Sequence, residues 1–254
     1  MGKFKISLIS YLNSRPFLYG LEKSPDKGEM ELILDYPSQT AAKMVSGQVN
    51  IGLVPVGSLS DLGEYQIVSD YCIGADGPVR SVVLAGELPM ELLDTILLDY
   101  QSRSTVLLIR VLAHFFWKKE FDWQPTSANY ETESIRGKTG GVVIGDRVFR
   151  IENRYRFIYD LSAEWHKYTG LPFVFAVWAS RETQEEGFLQ KFNEALTLGI
   201  SGISEVENTE KSNFPGVDLN EYFTRNISYS FDDRKKEGMA LFLELVRKLP
   251  ALPE

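Results

Sequence analysis

Short apolar runs alternate along this chain with stretches in which apolar residues recur every three or four positions. Runs rich in Ile, Val and Leu at 5–10, 31–36, 51–56 and 66–71 predict strands, and a further set follows at 81–85, 95–99, 141–144, 157–159 and 173–178. Between the first strands, 38–46 predicts a helix with Ala41, Met44 and Val45 on one face. The segment 104–121 predicts a long helix: Val106, Ile109, Val111, Leu112, Phe115 and Phe116 form a broad apolar stripe, and Trp123, Gln124 and Pro125 end it.

The last quarter reads differently. Thr183 and Glu186 have capping-box spacing, and Phe188, Phe192, Leu196 and Ile203 follow at helical intervals. The segment 235–249 repeats this behaviour with Met239, Phe242, Leu245, Val246 and Leu249. Strand–helix alternation followed by a helical tail predicts an α/β protein of two lobes, each a sheet flanked by helices. The expected crossings between lobes lie at 77–83 and 173–180. They divide the chain into a discontinuous lobe of 1–83 plus 179–254 and a second lobe of 84–178. In such a protein the ligand is expected in a cleft between the lobes, with hinge segments beneath it.

Charge narrows the partner. Lys plus Arg is 27 and Asp plus Glu is 35, a net charge of −8, which argues against a general nucleic-acid binder. A small anionic ligand stays open, since a local pocket can be positive within an acidic surface. The single cysteine, Cys72, rules out an internal disulfide, and two histidines, His114 and His166, make a zinc site improbable. No apolar run approaches the roughly 18 residues of a membrane span. The apolar start is broken by Ser7, Ser10 and Asn13, so the expectation is a cytoplasmic protein with no membrane partner.

Four stretches carry candidate chemistry. In SYLNSRPF, an amide, a hydroxyl and a guanidinium (Asn13, Ser14, Arg15) meet at the mouth of the first strand. Either Asn13 or Ser14 caps the helix that Pro16 opens, and two capping types in a row leave one to face a ligand. In GADGPVRSV, Arg80 and Ser81 follow a sharp turn, and the arginine fork suits either a ligand carboxylate or a surface acid. In LDYQSRSTV, Ser102, Ser104 and Thr105 stand at the start of the long helix, where free N–H groups and the helix dipole favour an anion. In GGVVIGDRV, Asp146 is an acid–base candidate or an N-cap. No nucleotide loop, metalloprotease or hydrolase motif is present. The residues themselves therefore point to a two-lobed protein that binds a small carboxylate, as enzyme or as carrier.

Taken together, SYLNSRPF, IGLVPVGSL, GADGPVRSV, SRSTV, IGD and DLSAEWHKYTGLPFVFAVW resemble the chorismate dehydratase family of the futalosine route to menaquinone, in order from residue 4 to about residue 180. The resemblance implies a periplasmic-binding-protein type II-like fold with a mixed sheet in each lobe. It implies loss of water from chorismate, a dicarboxylate, to give 3-[(1-carboxyvinyl)oxy]benzoate, with no cofactor and no metal. Asn13, Ser81 and Asp146 become the expected catalytic residues. Ser14, Arg15, Val56, Arg80, Ser102, Arg103, Ser104, Thr105 and Gly145 become the expected substrate-binding set. Two departures stand out: Ser104 then Thr105 replaces the family's Thr then Ser, and Arg147-Val148 replaces a small residue then Leu. A sibling lyase that makes 1,4-dihydroxy-6-naphthoate from cyclic futalosine, or a cytoplasmic carboxylate-binding or sensing protein, are the alternatives.

Overall fold

The computed structural model describes residues 3–251. In chain order the elements begin β1 (Phe4–Ile9), α1 (Arg15–Lys23), β2 (Met30–Asp35), α2 (Pro37–Val45), β3 (Ile51–Pro55), β4 (Gln66–Ala75) and β5 (Val82–Gly86). They continue β6 (Thr95–Leu98), α3 (Arg103–Val111), β7 (Asp122–Pro125), α4 (Tyr130–Glu133), β8 (Thr139–Ile144), α5 (Val148–Ile151), β9 (Phe157–Asp160) and α6 (Leu161–Thr169). The chain then forms β10 (Phe173–Ser180), α7 (Glu186–Ser201), α8 (Ile203–Glu210), α9 (Leu219–Glu221), β11 (Ser228–Ser230) and α10 (Asp233–Arg247). No helix among the described residues is long and apolar enough to cross a membrane.

The chain forms two compact units. The first is the chain up to Gly74 with Val174–Asp232; the second is Ala75–Phe173 with the chain from Asp233 onward. This division differs from the expected one in two ways. The chain changes unit at 74, ahead of the 77–83 turn, and it does so three times rather than twice. The final helix therefore belongs with the second unit. Phe242 of α10 packs edge-on against Trp165 at 6.0 Å and Phe173 at 4.9 Å, contacts with an aromatic cluster that the spacing of α10 alone does not reveal.

Unit 1 holds a six-stranded sheet in the order β11-β4-β10-β3-β1-β2. β1 is parallel to β2 and β3, whereas β10 runs antiparallel to β3 and β11 antiparallel to β4. β3 is buried throughout, which is why it reads as a continuous apolar run rather than an alternating one. Phe17 of α1 meets Trp178 at 5.6 Å, and Trp178 meets Phe192 of α7 at 5.1 Å. All three are fully buried, each contributing about 1.5–3 kcal/mol of transfer free energy. α1 crosses α7 at a glycine pair: a β-carbon on Gly20 would fall 2.0 Å from the Ala195 carbonyl oxygen, and one on Gly199 2.0 Å from that of Pro16.

Unit 2 holds a five-stranded sheet in the order β7-β6-β8-β5-β9. β6 is parallel to β7 and β8, and β5 runs antiparallel to both β8 and β9. Val83, Ala85, Leu97 and Val143 of the sheet pack with Tyr130, Ile135, Val148, Ile151 and Tyr155. Both sheets are mixed, as expected.

Three predicted elements differ in detail. The 104–121 helix is α3 only to Val111; it continues as a wider π-helical stretch, Leu112–Trp117, and stops at Lys118, whose left-handed backbone (φ 52) ends the ladder. Trp123 lies in the short edge strand β7, paired with Ile96, and the strand's mostly exposed residues hide it from the periodicity. Thr183 makes no capping box, because α7 starts at Glu186 with Glu185 as its N-cap, and the predicted run to Ile203 is broken at Gly202.

Candidate functional site

In unit 2, β6, β7, β8 and β9 all run one way, so their carboxyl ends line one edge of the sheet. The start of β5 lies on the same edge, since Val82 pairs with Ile144 and Val83 with Asp160. Carboxyl edges of this kind are where open α/β sheets take ligands. The edge collects Arg80, Ser81, Ser102, Arg103, Ser104, Thr105, Gly145 and Asp146 from three separate loops.

The start of α3 is built first by Ser102. Its Oγ accepts the Thr105 N–H at 3.1 Å and its hydroxyl donates to Thr105 Oγ1 at 2.9 Å. Two of the three hydroxyls expected to meet an anion are thus engaged with each other. The Ser102 and Thr105 side chains frame the helix start. Ser104 is buried within that frame, and Arg103 is exposed.

Ser81 is fully buried, and its carbonyl accepts the Gly145 N–H at 2.8 Å. Gly145 has φ 62, a left-handed turn that lets the chain leave β8 and place half-buried Asp146 in the short 3-10 turn Gly145–Arg147. Arg80 is paired within the protein. Its Nε and Nη2 donate to the two carboxylate oxygens of Glu152 at 2.8 and 3.2 Å, so its fork holds an acid of the protein. What Arg80 supplies to the site is its backbone, left-handed at φ 66, whose N–H donates to Asp160 Oδ2 at 2.6 Å. Asp160 also caps α6, accepting the Ser162 and Ala163 N–H groups at 3.0 Å each. Burial pushes its carboxyl above the usual range, and these N–H donors pull the other way.

Asp99, Tyr130 and Arg147 were not among the site residues expected from the sequence. Asp99 Oδ2 accepts from Tyr130 Oη at 2.8 Å and from Arg147 Nη2 at 2.5 Å, on the same edge. The signal was present: Asp99 ends a buried strand just as Asp146 does, and Arg147 is one of the two departures from the family pattern.

In unit 1, β1 ends at Ile9 and the turn Leu12–Ser14 follows. The Asn13 carbonyl accepts the Tyr229 hydroxyl at 3.0 Å, while its side-chain Oδ1 is buried with no hydrogen-bond partner in the protein. A buried acceptor left in that state costs about 1–3 kcal/mol, so the Asn13 amide has an acceptor to spare. The other unit 1 candidates are engaged within the protein. Ser14 turns inward, its hydroxyl directed at the Ile9 carbonyl and at the Tyr11 carbonyl 2.9 Å away. Arg15 pairs with Glu210 at 3.3 Å, and Val56 is fully buried core.

Two mixed sheets flanked by helices are the architecture of the periplasmic-binding-protein fold, and solved structures match it over nearly the whole chain. A protein of Archaeoglobus fulgidus is 13% identical, with 97% of each chain covered and a TM-score of 0.75. A Candida albicans gene product described as having the generic periplasmic binding protein fold is 14% identical, covering 100% of this chain and 92% of that one, with a TM-score of 0.71. The sequence itself is more specific than the fold. The chain belongs to the menaquinone biosynthesis family, whose profile matches residues 4–248. It is similar to the chorismate dehydratase of Thermus thermophilus, 25% identical over 272 residues that span 94% of this chain and 98% of that protein.

Proposed function

We propose that this protein is a chorismate dehydratase, removing water from chorismate to give 3-[(1-carboxyvinyl)oxy]benzoate. The observation that carries the reading is the capped start of α3 on the carboxyl edge of unit 2, in a chain similar over nearly its full length to a chorismate dehydratase. The reaction breaks a C–O bond and a neighbouring C–H bond of the ring, and aromatisation drives it. It is redox-neutral, so the chemistry calls for no electron carrier.

The hydrogen that leaves is γ to the ring carboxylate through a double bond. As it departs, charge flows onto that carboxylate. Fixed N–H donors stabilise such developing charge far more than water does, because they need no reorganisation. On this reading Ser104 and the N–H groups at the start of α3, held in place by Ser102 and Thr105, take the ring carboxylate. Ser81 and the Gly145 turn place the ring, and Arg103 adds positive charge at the approach. Asp146 accepts the proton and returns it to the departing hydroxyl, which leaves as water.

Substitution tests the assignments. Ser104→Ala is expected to lower kcat on chorismate about a hundredfold, the usual cost of one oxyanion donor. Asp146→Asn is expected to lower it about a hundredfold or more, as for a general base. Near-full turnover by Asp146→Asn would instead make the substrate's own second carboxylate the proton acceptor. A carboxylate-binding protein on the same fold is the second reading, favoured by how widely solved relatives of this fold are transport components, such as an ABC transporter protein from Parabacteroides distasonis that is 18% identical with a TM-score of 0.69. Saturable chorismate binding with no conversion would select it.

A further inference from the structure

Arg147 lies at the centre of a buried polar cluster that the reaction as described does not use. Its Nη2 donates to Asp99 Oδ2 at 2.5 Å and to Gln101 Oε1 at 3.2 Å, and its Nη1 lies 3.4 Å from Glu131 Oε2. The guanidinium carbon sits 5.3 Å from the ring centre of Tyr100 and 5.9 Å from that of Tyr130, so aromatic rings flank it. The Asp99 side chain is fully buried, and that of Arg147 is 15% exposed. Asp99 in turn accepts the Gln101 N–H on Oδ1 at 2.8 Å, a local turn that shapes the loop between β6 and α3.

The geometry couples two substrate-facing elements. Asp99 opens the loop that delivers Ser102 and Ser104, whereas Arg147 is the neighbour of Asp146 in the turn after β8. β6 and β8 are adjacent parallel strands, with Leu97 opposite Gly141. A single guanidinium thus ties the loop of one strand to the turn of the next. Arg is suited to this, since its planar fork reaches several acceptors and stacks on rings, which a lysine cannot do.

We infer that Arg147 is a positioning residue, which fixes the start of α3 relative to Asp146 by holding the Asp99 carboxylate between the two loops. The inference rests on the chorismate dehydratase reading for its link to catalysis. The groups facing the pair include Tyr130 and Glu131 from α4 and Tyr100 and Gln101 from the loop itself. Burial favours protonation of Asp99, and Arg147 is the cation that opposes it. Without the guanidinium, Asp99 takes up a proton and loses acceptor strength toward the Gln101 N–H. The loop before α3 then relaxes.

Arg147→Gln, Arg147→Lys and Tyr100→Ala test this, with chorismate turnover, a kcat–pH profile and hydrogen exchange at the Gln101 amide as readouts. Arg147→Gln is expected to lower kcat about tenfold to a hundredfold, the scale of a small misplacement, with KM within about threefold. The acid limb of its kcat–pH profile moves to higher pH, and the Gln101 amide exchanges faster. Arg147→Lys restores the limb but only part of kcat. Tyr100→Ala removes a ring that is 42% exposed, so it serves if Arg147→Gln does not fold, and it shifts exchange and limb in the same direction. Wild-type kcat, or a loss that follows the melting temperature with an unmoved pH limb, overturns the inference. If the wild type does not convert chorismate, the dehydratase reading fails on its own. The tie is then judged by Gln101 exchange, and unchanged exchange in Arg147→Gln overturns it.

Discussion

Ser102 and Thr105 satisfy each other at the start of α3, one through its oxygen and both through their hydroxyls, at 3.1 and 2.9 Å. The pairing separates two jobs that hydroxyls near a helix start can do: capping the helix and meeting a ligand. Ser102→Ala removes the cap and is expected to cost about 1 kcal/mol. Ser102→Asp keeps a good cap and suits the helix dipole, yet sets a negative charge where the substrate carboxylate is proposed to sit. The expected result is a retained melting temperature with chorismate KM raised about tenfold or more, from like-charge repulsion in a shielded site. Equal KM values for Ser102→Asp and wild type would place the carboxylate elsewhere.

A second prediction concerns the α1–α7 crossing. Gly199→Ala brings a β-carbon to 2.0 Å from the Pro16 carbonyl oxygen, a backbone atom that no side-chain rotation can move away. The two helices must separate, and overpacking of this kind is expected to cost about 3 kcal/mol or more in denaturant titration. A loss below about 1 kcal/mol would contradict the close approach of α1 and α7 at this glycine pair.

Arg80 combines an ion pair with an unfavourable backbone. Its side chain and that of Glu152 are each 29% exposed, so the pair is worth about 0–1 kcal/mol. Its left-handed φ of 66 costs a residue with a β-carbon about 1–2 kcal/mol relative to glycine. Arg80→Ala therefore loses the pair and keeps the strain, whereas Arg80→Gly loses both. Thermal unfolding is expected to find Arg80→Gly more stable than Arg80→Ala by about 1 kcal/mol. The reverse order would contradict the assigned turn.

Acid titration gives a further test in unit 2. The Asp160 carboxyl is held above its ordinary value of 3.8, chiefly by burial, against the pull of the Ala163, Arg80, Val79 and Ser162 N–H groups. A carboxyl that protonates more readily in the folded state stabilises the fold while protonated, and this contribution is lost as pH rises from the unfolded value through the raised folded one. The stability of Asp160→Asn minus that of wild type is thus expected to grow as pH climbs above about 3.8, and then level off. A difference that shrinks over this window would show that the N–H donors outweigh burial.

Much of the fold was legible because strands buried on both faces, such as β3 and β5, read as short continuous apolar runs, too short for helices and bounded by turn residues. β7 and β11 escaped, since one has mostly exposed residues and the other only three residues, and neither carries a period. The place of α10 was equally hidden: its stripe announces a helix, and only the Trp165 and Phe173 rings determine where that stripe is buried. For the site, strand-end motifs named loops that the structure brings to one edge of unit 2. Side-chain direction did not follow from them. Ser14, Arg15 and Arg80 look like ligand groups until Ile9, Glu210 and Glu152 supply partners from elsewhere in the chain. Asp99, Tyr130 and Arg147 lie far apart in sequence, and their meeting depends on β6 and β8 being neighbours.

The most direct measurement incubates the purified protein with chorismate and follows the product by ultraviolet absorbance and mass. The account predicts loss of one water per chorismate, an aromatic spectrum and a rate well above the reaction without protein. Saturable binding with chorismate recovered intact would contradict it and leave a carboxylate-binding protein. Conversion of cyclic futalosine in place of chorismate would contradict it in favour of the sibling lyase.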